Sequence, residues 1–176
     1  MRDLVYMEGN LMVCRENKGI AIRLSDRNSY GMSPRQIINE HYKFTDENKK
    51  PVYFSTNNKQ DLRFKNRLDE MIIFFKQKQD LICVRAHIIK IEADITPFIP
   101  DDADNYAPLI FSGDARYSWY LIENLEVMDD IQLREYWYRN NATGELEPLS
   151  DVLKRPRFPK CYFEFKSSMD EESLLL

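Results

Sequence analysis

Glycine, histidine and cysteine are all scarce in this chain, and each shortage removes a class of chemistry. Five glycines in 176 residues leave no phosphate-cradling glycine loop and no nucleophile elbow, and there is no HExxH. The two histidines, His41 and His87, stand at unrelated positions and give poor support to a serine or cysteine hydrolase. The three cysteines, Cys14, Cys83 and Cys161, are far apart and odd in number. That spacing argues against a disulfide framework or a zinc site and for reduced thiols in the cytoplasm. No apolar run approaches the roughly 20 residues that span a bilayer. No charged region followed by an apolar stretch opens the chain, so neither a membrane anchor nor a secretory leader is expected. There is no internal repeat and no low-complexity segment.

What is present reads as a globular domain. The apolar fraction of 43% and charged fraction of 31% are ordinary for one, and the length suits a single domain with appendages. We expect one domain over 1–165, with 1–50 as an N-terminal extension and 166–176 as a polar tail ending in three leucines. The net charge of −4 hides an asymmetry. Lys49 to Lys90 holds ten basic residues against four acidic, whereas Asp94 to Asp130 holds nine acidic and one basic, Arg116. Such a division predicts a positive face and a negative face.

Three short apolar runs, Leu4–Met7, Leu11–Arg15 and Ile20–Leu24, are split by Gly/Asn turns and predict a β-meander or paired hairpins. Ser33, Pro34 and Gln36 form a capping box that starts a helix. Ile37, Ile38, His41 and Tyr42 share one side of it, with His41 a half-buried packing residue. Thr45–Lys50 reads as a charged loop. Val52–Thr56 is a strand leading into the polar loop Asn57-Asn58-Lys59-Gln60, and Asp61–Glu70 is a short helix or an irregular segment. Met71–Phe75 is apolar throughout, as a central strand would be. Leu81–Ala93 is the longest strand, apolar on even positions to Ile88 and on odd positions from Ile89. That change of phase predicts a β-bulge at Ile88-Ile89. Asp94–Pro108 is a proline-rich loop carrying Asp101, Asp102 and Asp104, read as solvated acids since no calcium-loop glycine accompanies them. Ile131–Tyr138 fits strand or helix, Asn140–Gly144 is a hairpin turn, Ser150 caps a short helix, and Cys161–Phe165 is a final strand.

The stretch Phe111 to Val127 joins a turn, Ser112-Gly113-Asp114, to a strand. Tyr117, Trp119, Leu121, Leu125 and Val127 alternate as one buried face. Ser118, Tyr120 and Asn124 lie on the other, beside Arg116 and Asp114. Arg116 is then either an anion contact or an internal salt-bridge partner. Trp119 fits a pocket wall and a core position equally well.

Aromatic and basic residues therefore carry what function the chain suggests. Bases stack on flat side chains at about 1–3 kcal/mol each, and lysine and arginine hold phosphates. Pocket candidates are Ser55, Thr56 and Asn57 at one strand end, with Asp114, Arg116, Tyr117, Trp119 and Tyr120 at the start of another. Rim candidates are Lys59, Arg63, Lys65, Arg155 and Arg157. A metal-nuclease reading on Pro100-Asp101 with Glu164-Phe165-Lys166 spans too long a gap. No catalytic residue, metal or cofactor is therefore assigned.

The order of elements after residue 50 resembles the PUA-like superfamily, especially EVE and ASCH-type domains, over about 51–165. The likeness lies in Val52–Asn57 with its polar loop, the strand Met71–Phe75, the long strand Ile82–Ala93, and the loop and strand Gly113–Val127. The resemblance implies an α+β fold, a small mixed β-barrel with short peripheral helices. It also implies an RNA or modified-DNA ligand between the end of the first strand and the aromatic strand. A non-enzymatic nucleic-acid-binding module that takes a modified or flipped base is the leading expectation. The alternative is a protein-interaction factor, such as a small phage or mobile-element protein that binds a host protein through its acidic surface and leucine tail.

Overall fold

The computed structural model describes residues 5–7, 10–12, 18–60, 67–156 and 158–165. Its architecture is mixed α+β, dominated by one eight-stranded sheet with short helices around it. The strands are β1 (Val5–Met7), β2 (Asn10–Met12), β3 (Lys18–Arg23), β4 (Val52–Thr56), β5 (Leu68–Gln77), β6 (Asp80–Phe98), β7 (Arg116–Val127), β8 (Tyr136–Arg139), β9 (Leu146–Pro148) and β10 (Lys160–Phe165). The helices are α1 (Pro34–Asn48), α2 (Ala103–Tyr106), α3 (Leu109–Ser112), α4 (Asp130–Leu133) and α5 (Leu149–Leu153). The sheet order is β4-β7-β6-β5-β3-β10-β8-β9. Only β3 with β5 is parallel among the described pairs; the others are antiparallel.

The N-terminal runs divide between two sheets. β1 and β2 form a hairpin of their own. The third run, β3, does not extend it but lies between β5 and β10 in the main sheet. Its Ile20, Ala21 and Ile22 are fully buried, so this part of the first fifty residues belongs to the core.

Continuous apolar runs mark strands covered on both faces. Along β5, Met71, Ile73 and Phe75 enter one cluster with Ile20, Ile22, Val84 and Tyr120, while Ile72 and Phe74 enter a second with Cys83, Leu149 and Phe163. Gly19 pairs with Phe163 on β10, whose ring covers the space a side chain would need.

The bulge expected at Ile88-Ile89 is present. Ile88 pairs with Ile122 and Lys90 with Leu121, leaving Ile89 as the extra residue. Ile88 and Ile91 consequently face the same cluster while Ile89 is exposed. A second irregularity lies on β7, where Asn124 has a φ of 56°.

Helix α1 starts as expected, with Ser33 accepting from the Gln36 amide and the Gln36 side chain accepting from the Ser33 amide. It continues through Thr45–Asn48, where the sequence suggested a loop, and ends at Lys49 in the left-handed region. Charged residues with no apolar partner spacing extend a helix on its wet side without an apolar signal. Asp94–Pro108 is not wholly loop: Asp94–Phe98 continues β6, and α2 with the residue after it buries Ala103 and Ala107. Ser150 does not cap α5; the helix begins at Leu149 and has no side-chain cap. Ile131–Tyr138 divides into α4, with an Asp129/Gln132 capping box, and β8. Asn140–Gly144 closes the β8–β9 hairpin, with Gly144 at φ 73°. No helix among the described residues is long and apolar enough to cross a membrane.

Candidate functional site

A cleft of about 440 Å³ opens between the loop after β3, helix α1, the end of β4, helix α3 and the start of β7. That volume lies within the roughly 300–1,000 Å³ usual for ligand clefts. Two loops shape it, and each is fixed by its own side chains.

The first loop, 24–32, turns around Asn28. Its Oδ1 accepts from the amides of Tyr30 and Met32 at 3.0 and 3.3 Å, and its Nδ2 donates to the carbonyls of Met32 and Ser25 at 2.6 and 3.3 Å. Asparagine serves here because its short amide reproduces backbone turn bonds. Gly31 takes a φ of 63°, which a Cβ would oppose.

The second loop, 57–60, is tied to β7. Asn58 N–H donates to Thr56 Oγ1 at 3.1 Å. The Ser118 hydroxyl accepts from Gln60 N–H at 3.1 Å and donates to the Asn58 carbonyl at 2.9 Å. The Tyr120 hydroxyl donates to Gln60 Oε1 at 2.7 Å, and Gln60 Nε2 donates to the Tyr162 hydroxyl at 3.0 Å. Buried polar groups must be paired, and this chain of bonds meets that demand while it positions Asn57 and Asn58 at the cleft.

The walls combine charge, rings and neutral polar groups. Arg23, Arg27 and Arg116 line the cleft, with the rings of Tyr30, His41, Phe54 and Phe111. Ser25, Ser29, Asn28, Ser55, Thr56, Asn57 and Asn58 complete the polar lining, and no acidic residue is among the described lining residues. Arg23 donates to the carbonyls of Leu153 and Arg155 at 3.3 and 2.8 Å, which orients its guanidinium without cancelling its charge. His41 stacks on Phe111 at 5.2 Å between ring centroids and lies 5.5 Å from Phe54. Its Nδ1 lies 2.7 Å from the Ile37 carbonyl. Burial pushes its pKa down to about 4 against the pull of the Ile37 and Tyr53 carbonyls, so the ring is neutral near pH 7. Burial, and then donation to Asp114, raises the Tyr30 hydroxyl above its usual value, so it too keeps its proton.

Four of the residues singled out in the sequence meet in this cleft: Ser55, Thr56, Asn57 and Arg116. Asp114 stands beside them, accepting from the Tyr30 hydroxyl. Lys59 and Tyr117 form a neighbouring pair, the ammonium 4.9 Å from the ring centroid. Two expectations are corrected. Trp119 is fully buried, packed edge-on against Tyr53 with its Nε1 donating to the Phe98 carbonyl at 2.9 Å. Tyr120 is also fully buried, on the opposite face of β7. Both faces of β7 are covered, so alternation along it does not separate core from mouth. Neither ring offers a face for stacking. Arg155 lies outside the lining, ion-paired with Glu147 at 2.6 Å. Arg63, Lys65 and Arg157 lie outside the described residues.

The sequence reading passed over the loop 24–30, which supplies six of the sixteen described lining residues, and gave His41, Phe54 and Phe111 no place at the site. A signal existed: Ser25-Asp26-Arg27-Asn28-Ser29 is a polar run at a strand-to-helix junction, a usual place for binding groups. The aromatic residues gave none, because which strand end faces which helix is a matter of topology.

Of the acidic cluster, Asp101 and Asp104 are exposed as expected, while Asp102 is engaged internally. The Tyr53 hydroxyl lies 2.7 Å from Glu92 Oε2 and 2.9 Å from Asp102 Oδ1, and Lys90 donates to Asp102 at 3.1 Å. Glu164 pairs with Arg139 on the far side of the sheet order. No group of three His, Cys, Asp or Glu side chains among the described residues is arranged to hold a metal.

No protein-family model, curated protein or solved structure matches this chain.

Proposed function

We propose that the chain is a non-enzymatic nucleic-acid-binding module whose cleft receives one base of an RNA or DNA strand. The observation that carries this reading is the lining: three arginines, the half-buried Tyr30 ring and a set of neutral amides and hydroxyls, over buried His41, Phe54 and Phe111 and with no carboxylate among the described lining residues. An accessible ring such as that of Tyr30 takes the face of a base, amides and hydroxyls read its edge, and arginines hold the flanking phosphates. Lys59 over Tyr117 extends the basic rim beyond the cleft. The PUA-like resemblance supports the same position, between the end of β4 and the start of β7, and makes the sheet a mixed barrel of that kind. A modified or flipped base is the ligand class it suggests.

Fluorescence anisotropy with plain and modified-base oligonucleotides of RNA and DNA tests the reading. Binding should weaken with salt, by a slope that reflects the phosphates engaged. Arg27→Glu should weaken it at least tenfold with the fold intact. Absence of salt-sensitive binding to every oligonucleotide refutes it.

A second reading rests on a different observation. Ile95 and Leu109 in the acidic stretch 94–130, and Ile131 just after it, are exposed at 75%, 90% and 72%. They suit contact with a host protein. Capture of a protein from nuclease-treated lysate, abolished by Leu109→Glu and retained in Arg27→Glu, favours this reading over the first.

A further inference from the structure

An internal anion, Asp114, stands behind one wall of the cleft, outside the lining itself. Arg116 Nη2 donates to the Tyr30 hydroxyl at 2.8 Å, and that hydroxyl donates to Asp114 Oδ2. Tyrosine has one hydroxyl proton, so it serves the carboxylate while the oxygen lone pair serves the guanidinium. The direct Arg116–Asp114 distance is 3.7 Å, too long for a hydrogen bond. A guanidinium has five N–H donors. Among the described residues the Tyr30 oxygen is the one acceptor within hydrogen-bond reach of Arg116. Arg116 is shielded, with 18% of its side chain exposed, whereas Asp114 is 46% exposed. The arrangement is a partly desolvated guanidinium on a cleft wall, with unused donors, held beside a wetter carboxylate through a tyrosine. Tyr30 also packs edge-on against Phe111 at 4.9 Å, which fixes its hydroxyl.

We propose that Arg116 and Tyr30 form a phosphate subsite in the cleft, and that the Asp114 carboxylate stands in for phosphate in the free protein and competes with it. That the phosphate belongs to a nucleic acid rests on the reading given above. A bound phosphate takes the free guanidinium donors, which suit two of its oxygens at once. The Tyr30 hydroxyl turns its proton from Asp114 to a phosphate oxygen. Asp114 then sets affinity by opposing the incoming charge, and an asparagine at that position keeps an acceptor for Tyr30 while it removes the opposition.

The test uses the full chain with two probes. One is a fluorescein-labelled single-stranded oligonucleotide of mixed sequence, as RNA and as DNA, read by anisotropy over a salt series. The other is inorganic phosphate, read by the NMR shift of the arginine side-chain Nε–H groups. Asp114→Asn should bind about tenfold more tightly, the size of one screened like charge removed from the site. Arg116→Gln should bind at least tenfold more weakly, with the salt slope lowered by about one. Tyr30→Phe should also weaken binding, and it keeps the test decisive if Asp114→Asn does not fold. A gain for phosphate in Asp114→Asn without oligonucleotide binding upholds the subsite and removes the nucleic-acid reading. Oligonucleotide binding that needs Arg27 but is unchanged by the Asp114, Arg116 and Tyr30 substitutions overturns the subsite and leaves the cleft reading standing. No response to either probe overturns both.

Discussion

Acid should destabilise this protein, and the buried His41 carries a part of that loss that can be isolated. It is 3% exposed, stacked on Phe111 and near the Ile37 carbonyl. Burial holds its pKa at about 4 in the folded chain, against an ordinary 6.5. The unfolded chain therefore binds the proton more readily across that interval, and stability falls as pH falls. The stabilisation is complete above about pH 6.5 and is lost as pH drops through about 4. Those two values correspond to a loss of about 2 kcal/mol by pH 5 and about 3 kcal/mol by pH 4. Urea unfolding followed by tryptophan emission, over a pH series, measures it, since Trp119 is fully buried. His41→Leu fills a similar volume and cannot titrate. It should cost about 1 kcal/mol at neutral pH through the lost hydrogen bond, yet show a shallower decline with acid. The carboxylates of Asp102 and Glu126, both held below their usual pKa by tyrosine, lysine, arginine or glutamine partners, contribute alike to both proteins and cancel in the difference. If the leucine variant keeps the wild-type pH slope, or if the wild type is flat from about pH 7 to pH 4.5, the assignment is wrong.

Asn28→Ala removes four hydrogen bonds inside the loop 24–32; oligonucleotide affinity should drop at least tenfold while amide exchange speeds up in that loop. Ser118→Ala leaves the Gln60 amide and the Asn58 carbonyl without their described partner and should cost about 1–3 kcal/mol by chemical denaturation. Gly19→Ala would set a Cβ 2.1 Å from Phe163 Cζ and 2.7 Å from the Glu70 carbonyl oxygen. Its cost should reach about 3 kcal/mol or more, seen as a large fall in Tm. Burial pushes the thiols of Cys83 and Cys161 up to about 12; neither should react with a disulfide reagent at neutral pH until urea unfolds the chain.

Local chemistry was legible without coordinates. The Ser33/Gln36 capping box, the apolar strand Met71–Phe75, the hairpin turn at Asn140–Gly144 and the bulge at Ile88-Ile89 all appear where side-chain pattern places them. Each depends on residues within a few positions of one another, and periodicity records such relations. The polar end of β4 and Arg116 were likewise marked by their own residue types, and both reach the cleft.

Tertiary structure decided what pattern could not. Trp119 and Tyr120 point to opposite faces of β7, and both are buried because α2 with the Tyr53 ring packs on one face and the main cluster on the other. A period of two reports which side chains share a face; it does not report whether the second face is covered. The loop 24–30 and His41 join the cleft because β3 lies inside the sheet and α1 returns over β4. The same long-range placement brings Tyr30 within bonding distance of Asp114 and Arg116, more than eighty residues away. Sequence by itself determined the elements and the polar residues at their ends. Packing determined which of those ends meet, since burial and hydrogen bonding between distant strands are properties of the assembled core.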